Sequence, residues 1–234
     1  MARRKLKKFD EVRSFGNVYE NFHPMIPELR GENGELVEMK GQWAKKHFGN
    51  DNKITLELAC GRGEYTLQLA RKYPNRNFIG VDIKGARIHQ GATIAIDEGL
   101  DNVAFLRMKI EKIANFFEQG EVEEIWITFP DPFLRDGKAN RRLTSPRFLD
   151  TYRTFIAENG IIQLKTDSDE LYEYTKETLG VTPFIKVHYD NDDIYANKLD
   201  YQDLAFKTYY EKMHLENEKT IKYIRFTMDP LPQD

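Results

Sequence analysis

From residue 53 onward, short apolar runs rich in β-branched residues alternate with longer stretches of helical periodicity. That alternation restricts the chain to βαβ units built around a mostly parallel sheet. The runs 54–58, 77–82, 103–108, 124–129 and 160–166 read as strands, and 64–73, 84–98, 110–118, 146–157 and 168–179 read as the helices among them. Boundary residues agree. Gly99 stops the second helix, Gly120 follows the third, Pro146 suits the first turn of the fourth, and Ser168 is placed to cap the fifth, with Asp169 and Glu170 in its first turn. Segment 130–145 reads as an irregular loop. Beyond Pro183 the pattern becomes strand-like at 184–189 and 221–228, around a polar stretch and a helix near 201–213. This predicts an antiparallel pair closing one edge of the sheet. Residues 1–50, with Gly16, Pro24, Pro27, Gly31 and Gly34, are expected to form a basic N-terminal arm or lid ahead of one domain over 51–234.

Composition narrows the class. With 40% hydrophobic and 31% charged residues in 234, the chain can bury a core and is not a disordered polymer. No apolar run approaches the roughly 20 residues of a membrane helix. The basic start Met1–Lys8 runs into Phe9-Asp10-Glu11-Val12-Arg13 in place of a signal core, so a cytoplasmic protein without membrane contact is expected. Cys60 is the sole cysteine, and the five histidines are scattered. No internal disulfide and no metal site are expected. The net charge of −3 argues against a general affinity for polyanions, but its distribution is uneven. Arg3, Arg4, Lys5, Lys7 and Lys8 form one basic patch; Arg135, Lys138, Arg141, Arg142 and Arg147, against Asp136 alone, form another. A monomer and a homodimer both fit.

The first strand runs through Glu57-Leu58-Ala59-Cys60-Gly61-Arg62-Gly63-Glu64 into a helix. Glycines at such a turn let the backbone approach a ligand closely, so Gly61 and Gly63 are candidate cofactor residues. The second strand ends at Asp82, 21 residues beyond Gly61, where a carboxylate can accept hydrogen bonds from ribose hydroxyls. The ligand should therefore contain adenosine. The third glycine of a dinucleotide fingerprint is missing, since Thr66 or Glu64 occupies its place. Acids at Glu57 and Glu64 suit S-adenosylmethionine (SAM), which carries an ammonium and a sulfonium, better than a pyrophosphate. Tyr172-x-x-x-Lys176 has the spacing of a dehydrogenase pair, but no serine stands at the expected place upstream, and it reads as helix surface. Cys60, inside the turn with no neighbouring histidine, reads as a small buried spacer.

The fourth strand, Glu124 to Phe129, ends in Pro130-Asp131-Pro132-Phe133. The prolines fix the backbone around Asp131 at a strand's carboxyl end, where α/β sites assemble. A proline-rich turn with a capping aspartate is the other reading of the same residues. Asp167, likewise, reads either as a site acid or as part of a helix cap with Ser168.

Glu57-Leu58-Ala59-Cys60-Gly61-x-Gly63-Glu64, Phe78 to Gly85, Phe129-Pro130-Asp131-Pro132, Arg141-Arg142-Leu143-Thr144, Leu164-Lys165-Thr166-Asp167 and Thr208-x-x-Glu211 occur in one order and spacing. Over roughly residues 50–226 the chain thereby resembles the tRNA (guanine-N7-)-methyltransferases. The resemblance implies a Rossmann-like, seven-stranded, mostly parallel sheet of the class I SAM-dependent methyltransferases, and methyl transfer to a guanosine in the variable loop of tRNA. It implies that Glu57 and Asp82 bind SAM and that Asp131 lies between cofactor and guanine. Arg135, Asp167, Thr208 and Glu211 fall on the substrate side. Lys138, Arg141 and Arg142, with the basic arm, are expected to hold phosphates without reading sequence. Phe129 or Phe133 can receive an extruded base.

Two departures stand out. Phe133-Leu134-Arg135-Asp136-Gly137 replaces the family's usual tryptophan and its Lys- and His-rich run. Lys109 stands where an Asp or Asn usually meets the adenine amino group, and its side chain cannot accept that hydrogen bond. The backbone at Lys109 and Ile110, or Glu111, is left to read adenine. The alternatives are a tRNA-binding paralogue with weakened catalysis, and a methyltransferase for a protein or small molecule.

Overall fold

The computed structural model describes residues 11–23 and 25–232. The basic residues at 3–8 lie outside them. Among the described residues the strands are β1 (Val18–Glu20), β2 (Leu29–Arg30), β3 (Leu36–Val37), β4 (Ile54–Leu58), β5 (Asn77–Asp82), β6 (Val103–Arg107), β7 (Val122–Thr128), β8 (Ile156–Thr166), β9 (Ile185–Asn191) and β10 (Lys222–Met228). The α-helices are α1 (Glu64–Lys72), α2 (Gly85–Asp97), α3 (Pro146–Arg153), α4 (Asp169–Gly180) and α5 (Tyr209–Glu216). All the strands join one sheet in the order β3-β2-β1-β6-β5-β4-β7-β8-β10-β9.

The seven strands from β4 to β10 form the expected sheet, parallel except where β10 runs antiparallel between β8 and β9. Three short strands extend it. β1 pairs parallel with β6, and β2 and β3 follow antiparallel, so residues 18–37 lengthen the sheet edge. Their periodicity is too short to read as strands; pairing with β6 supplies the partner that two or three residues need.

Both faces are covered, which is why the central strands are apolar on both sides. On one face Leu67, Leu69 and Ala70 of α1 and Ile88, Ala92 and Ala95 of α2 pack with Trp126 and Tyr223. On the other, Phe148 and Tyr152 of α3 and Leu171, Tyr172 and Leu179 of α4 pack with Trp43 and Phe117. Tyr172, expected on a helix surface, is 3% exposed, and its hydroxyl donates to Asp190. The stretch 110–118 forms only a 3-10 turn, Ile110–Asn115, because the adjacent Phe116 and Phe117 both enter the core and the Phe116 carbonyl accepts the Trp43 indole N–H. Around 201–213 a 3-10 turn at Gln202–Ala205 precedes α5. Among the described residues no helix is long and apolar enough to cross a membrane.

Strand order reverses between β4 and β7, which opens a crevice at the carboxyl ends of the strands.

Candidate active site

That crevice is a cleft of about 1150 Å³. Each central strand delivers a residue to its wall just at or beyond its carboxyl end: Ala59 after β4, Asp82 on β5, Met108 after β6, Phe129 after β7 and Asp167 after β8. Parallel pairing sets these strand ends side by side.

The glycine turn after β4 is held by its own backbone. Gly63 N–H donates to Cys60 O at 2.8 Å, and Cys60 N–H to Val81 O at 3.1 Å. Gly61 N–H donates to Asp82 Oδ2 at 3.0 Å, and Lys84 N–H to Asp82 Oδ1 at 2.7 Å. Each carboxylate oxygen of Asp82 therefore keeps acceptor capacity for a further donor such as a ribose hydroxyl. Gly61 has φ of +59° and open space where a Cβ would lie. Gly63 serves a different end: at φ of +69°, its Cβ would meet the Phe105 ring at 2.5 Å. Gly80 and Gly91 crowd the same ring, so a phenylalanine of β6 fills a hollow made by glycines behind the turn. Cys60 is buried, and burial raises its thiol pKa well above the ordinary value, as a spacer requires.

Glu57, expected beside the cofactor, is directed beneath the turn. It is 3% exposed, and its carboxylate accepts from Thr66 N–H at 2.8 Å, from the Thr66 hydroxyl and from the Thr128 hydroxyl at 2.6 Å. Burial raises its pKa to about 7 against the opposing pull of those donors. Glu64 is also engaged elsewhere, accepting Tyr209 N–H at 2.7 Å.

Past β7, Phe129, Pro130, Asp131, Pro132 and Phe133 all line the cleft. Asp131 is exposed, and among the described residues nothing donates to its carboxylate. Phe129 and Phe133 flank it at φ of 48° and 44°. Arg141 reaches the same wall, its guanidinium carbon 5.8 Å from the Phe133 ring centre. Arg142, expected to grip phosphate, points the other way: it is 6% exposed, and its guanidinium donates to Pro132 O and Phe133 O at 3.0 and 3.1 Å. Arg135 and Lys138 are exposed around the 3-10 turn Asp136–Arg141, away from the cleft wall.

Asp167 lines the cleft with its Oδ2 held 2.6 Å from Lys219 Nζ and 3.5 Å from His214 Nδ1. His214 also stacks on Phe129, with ring centres 6.0 Å apart. Ser168 caps α4 as expected, its hydroxyl accepting Leu171 N–H at 3.1 Å. Thr208 and Glu211 stand behind the wall. Thr208 caps α5 by accepting Glu211 N–H, and Glu211, fully buried, pairs with Lys165 Nζ at 2.7 Å. Burial lowers the Lys165 pKa to about 8 although Glu211 pulls it upward.

Several wall residues went unseen in the sequence. Ile83, directly after Asp82, is 48% exposed and lines the cleft, as do Met108 and Ile110. Its position directly after Asp82, the acid expected at the ribose, was its available signal. His214 and Lys219 arrive from α5 and just beyond it, more than 40 residues after Asp167, and no local pattern marks them; Tyr210, inside the segment Thr208 to Glu211 expected on the substrate side, joins them on the wall. Arg87 of α2 meets Tyr210 through a 3.1 Å hydrogen bond to its hydroxyl. Lys109, Ile110 and Glu111 all line the cleft at the end of β6.

A family model described as "Putative methyltransferase" matches residues 51–223. In structure, the chain is similar to the 16S rRNA methyltransferase KamB (TM-score 0.61, 13% identity, 84% of this chain and 97% of that one) and to a 30S ribosomal A1408 methyltransferase from an uncultured bacterium (TM-score 0.58, 16% identity, 83% and 96%). At those identities the likeness speaks for the fold. Sheet order, glycine turn and the acid Asp82 at the end of β5 are those of a class I SAM-dependent methyltransferase. In sequence, the chain is 46% identical to the tRNA (guanine-N(7)-)-methyltransferase of Bacteroides fragilis over all of this chain and 88% of that protein. It is 49% identical to that of Porphyromonas gingivalis over 92% of this chain and 86% of that one. The chain belongs to the tRNA (guanine-N(7)-)-methyltransferase family.

Proposed function

We propose that this protein transfers a methyl group from SAM to N7 of a guanosine in the variable loop of tRNA, working in the cytoplasm. One observation carries the reading: Asp82, Asp131 and Asp167, from three different strand ends, face one cleft beside the glycine turn.

The residues fit SAM. Gly61 leaves space where a side chain would stand, Asp82 has oxygens to spare for ribose hydroxyls, and Ile83 and Ile110 offer apolar surface to adenine. Because the Lys109 side chain has no acceptor, adenine recognition falls to main chain at 109–110 or to Glu111. When bound, SAM supplies an electrophilic methyl group on sulfur. Guanine N7 carries an unshared pair, so no side chain needs to remove a proton before attack, and the chain contributes alignment. Asp131, with no donor among the described residues, opposes the positive charge that grows on the purine. Asp167 accepts from the N1 and N2 edge of the base. Phe133 lies beside them on the cleft wall and offers a ring face to a base drawn out of its stack. Arg141 holds phosphate at the rim, Arg135 and Lys138 add contacts farther out, and the segment Thr208 to Glu211 supports the substrate side from behind.

Titration calorimetry with SAM, followed by transfer of labelled methyl to bulk tRNA and nucleoside analysis, tests the reading. The expected result is micromolar-range binding and label in 7-methylguanosine. Binding of SAM and tRNA without transfer, or label in another nucleoside, overturns it.

A further inference from the structure

The geometry points to Arg142 as a positioning residue for Asp131, acting through the backbone that carries it; the inference rests on the role given to Asp131 above. Pro130 and Pro132 fix two φ angles of the loop and remove two backbone donors. Rotation of Asp131 is then governed by the residues outside the prolines. Phe129 and Phe133 both sit at positive φ, a region that a phenylalanine occupies only where its surroundings over-determine it. Phe129 precedes a proline as well, which narrows its options further. Each end of the loop therefore needs a fastening.

The sheet fastens the first. Phe129 N–H donates to Lys165 O on β8 at 2.8 Å. Arg142 fastens the second: Nε donates to Pro132 O at 3.0 Å and Nη2 to Phe133 O at 3.1 Å. A rigid planar fork on two successive carbonyls restrains the φ and ψ of Phe133 that lie between them. The guanidinium rests 4.2 Å over the ring of Tyr174 on α4, and among the described residues no carboxylate pairs with it. Its charge is spent on two carbonyls and a ring face. At 6% exposure it presents almost nothing to a phosphate in solvent. Arg141, one residue earlier, lies on the cleft wall. The adjacent arginines thus divide two tasks, one facing substrate and the other holding the loop.

Arg142→Ala, Arg142→Lys and Tyr174→Leu in the full chain, beside wild type and Arg141→Ala, test the division. Four readouts serve: kcat at saturating tRNA, SAM Kd, the salt dependence of tRNA Kd, and hydrogen exchange over 129–134. Arg142→Ala should lower kcat roughly 10- to 100-fold, as displacement of a reacting group does. It should leave both Kd values and the salt slope within twofold and speed exchange over 129–134. Arg142→Lys, with one donor point in place of a fork, should recover part of kcat, and Tyr174→Leu should show a smaller loss of the same kind. A salt slope reduced by about 0.7–0.9 with kcat retained would make Arg142 a phosphate contact and overturn the inference; unchanged exchange over 129–134 would overturn it too. Should Arg142→Ala fail to fold, the other two variants carry the same comparison. If wild type itself transfers no methyl to tRNA, the functional reading fails, while exchange and salt slope still decide the role of Arg142.

Discussion

Lys165 Nζ and Glu211 Oε1 lie 2.7 Å apart with both side chains wholly buried, joining the end of β8 to α5 behind the cleft. Tyr195 donates to the same carboxylate at 2.6 Å, and Lys165 also donates to Leu204 O and Phe206 O. Because α5 and the residues just after it bring Tyr210, His214 and Lys219 to the wall, this pair holds one side of the site in place. Glu211→Ala leaves Lys165 buried without its partner and should cost about 3–5 kcal/mol. For a chain of this size that lowers Tm by roughly 10 °C or more. Lys165→Met with Glu211→Leu should recover most of the loss in a thermal melt; a double variant as unstable as Glu211→Ala would show that the pair does more than neutralise itself.

Glu57 makes stability depend on pH in an unusual direction for a carboxylate. Its folded pKa is raised from 4.5 to about 7, so between those values the folded state binds more protons than the unfolded one. Stability from this group is present below about pH 4.5 and is lost as pH rises through 7, by up to about 3 kcal/mol. Glu57→Gln, which cannot ionise, should flatten that part of the urea-denaturation profile. An unaltered profile between pH 5 and 8 would refute the assignment.

Gly61 and Gly63 should separate under the same substitution. Gly63→Ala places a methyl 2.5 Å from the Phe105 ring at a left-handed φ and should cost about 2 kcal/mol or more in stability. Gly61→Ala meets nothing within 4 Å and pays only its backbone conformation, about 1 kcal/mol. Its loss should appear in SAM affinity, at least about tenfold by calorimetry, because the methyl enters the space proposed for the cofactor.

Asp131→Ala should reduce methyl transfer by about 100-fold or more while SAM Kd stays within twofold, as removal of an electrostatic stabiliser does. Wild-type turnover by the variant would take Asp131 out of the reacting centre.

Arg141→Ala should weaken tRNA binding and reduce the slope of log Kd against log salt by about 0.7–0.9, the signature of one phosphate contact. An identical slope would place that contact elsewhere.

What was readable in advance was local. The central strand runs, the glycine turn into α1, Asp82 at the end of β5 and the Ser168 cap each depend on neighbours within a few residues and stand in the structure where they were expected, except that β8 begins at Ile156, within the stretch 146–157 expected as helix. The segments 18–37 and 110–118 escaped that reading, since a two-residue strand exists only by its partner and the 3-10 turn only by the burial of Phe116 and Phe117.

Side-chain direction was decided in three dimensions. Arg141 and Arg142 are chemically identical neighbours, yet one faces the cleft and the other the loop carbonyls. Glu57 and Asp82 are both acids of the nucleotide motif, yet the three donors from Thr66 and Thr128 draw the first under the turn, while the second keeps oxygens toward the cleft. The order of residues settled which central strands form and where they end at the cleft, because those outcomes follow from periodicity and backbone chemistry. Only the folded chain chose which polar groups face the cleft and which meet each other, because that choice depends on donors and acceptors delivered from distant strands and from α5.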